Sequence, residues 1–199
     1  MLHKSVTVIN ATRFGYDMYI RRVRNEEDSM RRFVEELWLP YNRDLEEAVD
    51  SYVLAEDIDV DEIVEFRTEH FNDPSNRLWV ALDDVDDPTG PLSNLDATFA
   101  GFLSTTLRTP PSKYASADKL HLGNIYVDPK YRGTGLADDL VTRGIQHARE
   151  DGAEELSLNV AVDNDRALAY YEKLGFDVVE YEMQVPLDEV QLDMESHNN

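Results

Sequence analysis

The stretch Ile125-Tyr126-Val127-Asp128-Pro129-Lys130-Tyr131-Arg132-Gly133-Thr134-Gly135-Leu136-Ala137-Asp138-Asp139-Leu140 limits what this chain can fold into more than any other. Apolar and aromatic residues run up to an Asp-Pro turn, two glycines follow, and a helix-forming segment starts at Leu136. That order predicts a strand, a glycine turn and a helix whose first amides lie beside the glycines. Unbonded N–H groups at a helix N-terminus, together with the positive end of the helix dipole, form a small anion cradle. Lys130 and Arg132 flank it, and no acid occurs from Pro129 to Ala137. The gap carries weight because the chain has 41 acids against 19 bases, a net charge of -22. The spacing is not that of a Walker loop, which needs a Lys-Ser/Thr pair after the glycines, nor that of the dinucleotide fingerprint. Two readings stay open: a pyrophosphate cradle made by the amides of Gly133, Thr134, Gly135, Leu136 and Ala137 with help from Arg132, or a plain strand-to-helix connector.

The flanking pattern places this stretch in an α/β chain. Downstream come a helix over residues 136–149 ended by Gly152, a strand over 156–160, a helix over 164–174 ended by Gly175, and a final strand over 176–186. Alternating strands and helices predict a sheet with crossover connections. Upstream, residues 77–82 and 97–107 are rich in β-forming residues and are joined by an Asp/Pro/Gly/Asn-rich connection, which predicts a hairpin with a long loop. A strand over 120–127 follows a loop at Thr109-Pro110-Pro111-Ser112. The first third reads as mostly helical after an extended segment at 19–24. Met30, Phe33, Val34 and Leu37 form a first apolar stripe, which Pro40 is expected to stop. Leu45, Ala48, Val49, Tyr52 and Val53 form a second, and Val60, Ile63, Val64 and Phe71 a third. Residues 6–9 are a candidate short strand and Gly15 a candidate turn. The expected organisation is an N-terminal extension over 1–18, one domain over 19–187, and a polar C-terminal tail over 188–199.

Composition narrows the function classes. Leu, Ile, Val and Phe supply 52 of the 199 residues, enough for a core despite the charge. The acid surplus repels phosphate backbones and anionic lipid, so neither nucleic acid nor a membrane surface is expected as a partner. No apolar run approaches the roughly 18 residues of a membrane span, and nothing resembles a signal-peptide core, so a cytoplasmic protein is expected. The absence of cysteine removes disulfides, thiolate metal sites and a cysteine nucleophile. Asp83, Asp84, Asp86 and Asp87 lack the glycine and distal glutamate of a calcium loop. His3, His70, His147 and His197 show no metal-ligand spacing, so no metal is expected. The bases are 14 Arg and 5 Lys. An acid-rich, lysine-poor surface resembles that of proteins from salt-accumulating (halophilic) organisms, and a field that attracts cationic amines is the other reading.

Arg132-Gly133-Thr134-Gly135-Leu136-Ala137 resembles the R/Q-x-x-G-x-G/A signature of the GCN5-related N-acetyltransferase (GNAT) superfamily. Asn164-Asp165-Arg166-Ala167-Leu168-Ala169-Tyr170-Tyr171-Glu172-Lys173-Leu174-Gly175-Phe176 is similar to its closing N-x-x-A-x-x-x-Y-E-K-x-G-F segment. The resemblance is tight over residues 120–185 and architectural over 19–107. It implies an α/β (α+β) GNAT fold: a central mixed, mostly antiparallel sheet of six or seven strands, flanked by helices, with the fourth and fifth strands splayed to admit acetyl-coenzyme A. It also implies direct acetyl transfer from acetyl-CoA to a primary amine of a small molecule or peptide, by a monomer or homodimer. The alternative is a catalytically silent CoA-binding or interaction module on the same fold.

Residue roles follow from the same resemblance. The main chain of Ile125, Tyr126 and Val127 would pair with the pantetheine amides, as an extended ligand adds to a sheet edge. Asn164 would contact the cofactor, although it also reads as a plain helix cap. Tyr171 would protonate the leaving thiolate, a role open to a hydroxyl that stays protonated at neutral pH; its other reading is core. Many relatives place a glutamate base on the fourth strand, where this chain has His121, Gly123 and Asn124. His121 is the candidate base, with a hydrogen-bonded structural histidine as its other reading. Asp128 is a weaker candidate, as a turn residue. The acceptor would meet the divergent first third and the connection at 109–119.

Overall fold

The computed structural model describes residues 12–14, 18–49, 52–111 and 117–191. The candidate strand at 6–9, the turn at Gly15 and the end of the C-terminal tail lie outside them. Six strands line up in chain order: β1 (Thr12–Phe14), β2 (Met18–Arg22), β3 (Asn76–Asp83), β4 (Thr98–Arg108), β5 (Lys119–Val127) and β6 (Glu155–Leu158). Neighbours pair antiparallel as far as β5, and β6 joins β5 in parallel. The body of this mixed sheet is the five strands β2 to β6, with β1 a three-residue ribbon on one edge. Without that ribbon the sheet has five strands, fewer than the expected six or seven; the ribbon brings it to six. Residues 176–186 form no strand, although Val179, Tyr181, Met183 and Val185 alternate as a strand requires. All four are exposed. Alternation marks a segment able to pair, but a strand exists only against a hydrogen-bonding neighbour.

The helical layer departs from expectation at Pro40. Helix α1 (Glu27–Phe33) runs into a π turn (Val34–Trp38) and on through α2 (Leu39–Ala48). The N–H of Leu39 donates to the carbonyl of Val34, five residues back. The widened turn puts Pro40 in the first turn of α2, where its missing N–H is tolerated. The proline continues the helix instead of stopping it. The second stripe does not hold: only Val49, just past the end of α2, is buried, Leu45 is half-buried, and Ala48, Tyr52 and Val53 are exposed, because α2 lies over the sheet edge with no layer covering that face. Met30, Phe33, Val34 and Leu37 are all fully buried, as their spacing predicts. They pack with Val64 of α3 (Val60–His70) against Val80, Leu82, Phe102 and Tyr126 of the sheet. Leu103 and Leu122 face the other side and meet α4 (Leu136–Glu150) at Gly144.

One irregularity shapes the molecule. Leu103 pairs with Ile125 and Thr105 with Leu122, so Gly123 and Asn124 together oppose Ser104 alone. Such a bulge bends its strand and sharpens the twist. Pairing of β5 with β6 ends at the same place, at Leu122 and Leu158. Beyond the bulge, β5 runs on with no strand beside its β6-facing edge among the described residues. The N–H of Asn124 donates to Ser104 Oγ at 2.8 Å, and a Cβ on Gly123 would fall 2.6 Å from that oxygen. Gly123→Ala is thus expected to displace the hydroxyl and to destabilise the fold by about 1–3 kcal/mol. Removing the hydroxyl with Ser104→Ala should shrink that increment. Denaturant midpoints of the two single mutants and the double mutant check this, and an unchanged increment would show that the clash is relieved elsewhere.

The chain divides into two compact units between Asp163 and Asn164. The six strands and helices α1 to α4 belong to the first. The second contains α5 (Asp165–Lys173) and a 3₁₀ turn (Leu187–Glu189). Among the described residues no helix is long and apolar enough to cross a membrane.

Candidate active site

The glycine turn is built tightly on one side and open on the other. Asp128 Oδ1 accepts from the N–H of Lys130 at 2.9 Å, which sets a short 3₁₀ turn and makes Asp128 a capping residue. The buried Tyr131 donates its hydroxyl to Asp83 Oδ2 at 2.8 Å, and Thr134 Oγ1 donates to the carbonyl of Tyr131 at 2.7 Å. Gly133 and Gly135 then adopt φ of +77° and +94°, conformations that disfavour a side chain. A Cβ on either would meet nothing within 4 Å. These glycines are required by the backbone path and leave empty space beside it. Gly135 caps α4 without a side-chain acceptor, so the first-turn amides receive no cap from that residue. Leu136 is buried in packing, so only its main chain is available to a ligand. Open space beside an uncapped helix N-terminus fits a pyrophosphate.

Arg132 stands at this turn, but not alone. Its Nε donates to the carbonyl of Val127 at 3.2 Å, and its Nη2 pairs with Asp44 Oδ2 on α2. The acid-free gap in the sequence is thus partly closed in space by an acid 88 residues away. One turn earlier on α2, Tyr41 packs edge-on against Tyr126 of β5, with ring centroids 5.9 Å apart. Tyr41 and Asp44 together hold α2 over the end of the strand whose edge is open. Burial pushes the Tyr41 hydroxyl up to about 12.

Ile125, Tyr126 and Val127 lie on that part of β5, past the bulge. Their other edge pairs with Leu103, Phe102 and Gly101. The Tyr126 side chain packs into the core with Phe102 and Tyr41, and those of Ile125 and Val127 are half-buried. His121 sits elsewhere, in the zipped part of the strands between Thr106 and Ser157. Its Nδ1 is 3.2 Å from Ser157 Oγ. Burial first, and then the charge of Arg108, push its pKa down to about 4.

A stability prediction follows. The folded-state value lies below the ordinary 6.5, so as pH falls the unfolded chain takes up the proton first. The neutral imidazole therefore contributes stability above pH 6.5 that is lost as pH falls towards 4, on the order of 3 kcal/mol. His147, buried against Thr105 and Arg77, is depressed in the same direction, by desolvation first. Melting temperatures at pH 7, 5.5 and 4.5 should fall more steeply for the wild type than for His121→Gln. Parallel curves would show that His121 carries no such term.

Asn164 and Tyr171 belong to the second unit. Asn164 Oδ1 accepts from the N–H of Ala167 at 3.1 Å and caps α5, which leaves its side-chain amide donors for other partners. Tyr171 is buried, and its ring meets Phe176 at 5.7 Å and Tyr170 at 5.4 Å. Among the described residues no group of three acids or histidines could hold a metal ion.

Comparison with known proteins gives this architecture a family. The chain matches the acetyltransferase (GNAT) family over residues 30–176 and belongs to it. A 62-residue stretch is 50% identical to mycothiol acetyltransferase of Corynebacterium glutamicum (strain R), covering 30% of this chain and 21% of that one. The chain thus matches about a fifth of that relative's length. A 56-residue stretch is 45% identical to N-alpha-acetyltransferase MAK3 of Arabidopsis thaliana, covering 28% of this chain and 30% of the other. Among solved structures, a mutant of the BH1408 protein of Bacillus halodurans superposes with a TM-score of 0.65 at 18% identity, over 84% of this chain and 98% of the other. Aminoglycoside N-acetyltransferase AAC(6')-Iy in complex with CoA superposes at 0.59 and 17%, over 88% and 97%. These superpositions show that the fold is shared.

Proposed function

We propose that the protein transfers the acetyl group of acetyl-CoA directly to a primary amine, as a single catalytic domain over residues 19–187. The observation that carries the reading is the open edge of β5 beyond the bulge, beside the uncapped start of α4 with empty space at Gly133 and Gly135. Bound acetyl-CoA would supply the thioester. The main chain of Ile125, Tyr126 and Val127 would hold its pantetheine arm as an added strand. The amides of Gly133 to Ala137 would hold its pyrophosphate, with the free Nη1 side of Arg132. Asn164 would add a donor from its side-chain amide. The acceptor amine gives up a proton and attacks the carbonyl carbon, the C–S bond breaks, and the Tyr171 hydroxyl protonates the leaving sulfur. His121 would take the amine's proton through its neutral ring, directly or through water. The surplus of acids is read as adaptation to high salt.

A second reading has one specific observation in its favour. The His121 ring is buried, bonded to Ser157 and weakly basic, which suits a structural role. A silent CoA-binding module would then bind the cofactor without turnover. Calorimetric titration with acetyl-CoA in high salt, followed by thiol release with a broad amine panel, separates the readings. Binding with turnover supports the transferase, binding without turnover supports the module, and absence of saturable binding removes both.

A further inference from the structure

Arginine is well used in this protein. Arg21 is held by two backbone carbonyls, Arg31 by Asp61, Arg32 by Glu36 and three carbonyls, Arg77 by Asp151, and Arg143 by Glu150. Arg67 on α3 is the exception. It is the one partly buried arginine among the described residues whose guanidinium has no hydrogen-bond acceptor, in a chain with 41 acids available. Its Nε is buried without a partner; those of Arg21 and Arg143 are too, but each of these has an acceptor at Nη1 and Arg67 has none. Its Cζ lies 5.1 Å from the ring centroid of Trp38 and 5.8 Å from that of Phe66. The indole Nε1 of Trp38 is also buried without a partner. Two N–H donors on this packed pair are therefore withdrawn from water with no acceptor, an arrangement that costs free energy until an acceptor arrives.

The position of this pair matters as much as its chemistry. Trp38 closes the π turn and Tyr41 follows it on α2, beside the charge of Arg67. Tyr41 meets Tyr126 on β5, and Asp44 meets Arg132. One face of α2 thus runs from the orphaned donors to the open strand edge and the glycine turn. We propose that Arg67, with the indole N–H of Trp38, binds a carboxylate of the acceptor, so that the acceptor is an amine that also carries a carboxylate. The inference rests on the acetyl-transfer reading. A carboxylate fits because the guanidinium Nε–H and an adjacent terminal N–H form a fork that matches two oxygens. Burial holds the Arg67 pKa below its ordinary range, and a carboxylate would return the lost solvation.

The test pairs each amino acid with its decarboxylated amine: phenylalanine with 2-phenylethylamine, and 6-aminohexanoate with pentylamine. Acetyl-CoA is the donor, and the full chain is assayed in high salt. For at least one pair the wild type should prefer the carboxylate member in kcat/KM by roughly 10- to 100-fold, the range expected for a hydrogen-bonded charge pair. Arg67→Gln should erase that preference through KM and leave the neutral member within about twofold. Trp38→Phe keeps the ring, removes the donor, and should erase part of it. Equal use of both members, or an equal loss for both in Arg67→Gln, overturns the subsite but not the transferase. Cofactor binding with no turnover on any member overturns it as well, and failure of acetyl-CoA to bind overturns the acetyl-transfer reading along with it.

Discussion

Tyr171→Phe is expected to lower kcat by roughly 10²- to 10⁴-fold, the usual loss on removing a general acid, with cofactor affinity and melting temperature nearly unchanged. The substitution deletes one oxygen and keeps the ring, which packs edge-on against Phe176 at 5.7 Å. That packing is why the two readings of Tyr171 separate cleanly. A residue that is only core should tolerate phenylalanine in activity and stability alike, and should suffer only in Tyr171→Ala, through a cavity costing about 3–5 kcal/mol. Steady-state kcat and melting temperature of both mutants decide between them. A phenylalanine mutant with wild-type kcat sinks the acid assignment wherever chemistry limits the rate. Solvent-viscosity dependence of the wild-type kcat comes first, because slow product release would mask a loss in the chemical step.

The parts of the site that lie close together along the chain were legible, and those assembled from distant segments were not. The strand, glycine turn and helix over 125–140 are a local unit: positive φ at Gly133 and Gly135 and an uncapped helix start follow from residue types at fixed offsets. The stripe Met30, Phe33, Val34 and Leu37 fixed its buried face by period alone. Asp44 shows the limit. Nothing at residue 44 announces that it will neutralise part of Arg132, because the pairing depends on how α2 crosses the sheet. Pro40 misled for a related reason, since the π turn that rehouses it is a response to packing and has no propensity signature. The bulge was available in principle: a glycine inside the strand pattern at 123 is the usual mark of one. With it the parting of β5 and β6 could have been placed at Leu122. His121 then falls on the zipped side of that point, a consideration that sequence order alone does not supply.

Arg132→Glu combined with Gly135→Trp is expected to abolish acetyl-CoA binding. The glutamate turns the cation of the turn into a second anion beside Asp44, so two carboxylates would face the incoming pyrophosphate where one ion pair stands. The indole would occupy the open space beside the helix N-terminus, where a side chain now meets nothing within 4 Å. The fold should pay a moderate cost. A non-glycine residue in the left-handed region is disfavoured by roughly 1–2 kcal/mol, and Gly135 has φ +94°. Loss of the exposed pair with Asp44 adds about 0–1 kcal/mol. The melting temperature should therefore fall by several degrees with a cooperative transition retained, and circular dichroism should report an unchanged helix content. Calorimetry on the folded double mutant is the measurement. Wild-type affinity there would show that the glycines only connect β5 to α4 and that the phosphates, if bound at all, are held elsewhere. Arg132→Gln alone supplies the graded control: it removes the cation without adding an anion, and should weaken binding by roughly 10-fold, the scale of one charge-assisted hydrogen bond.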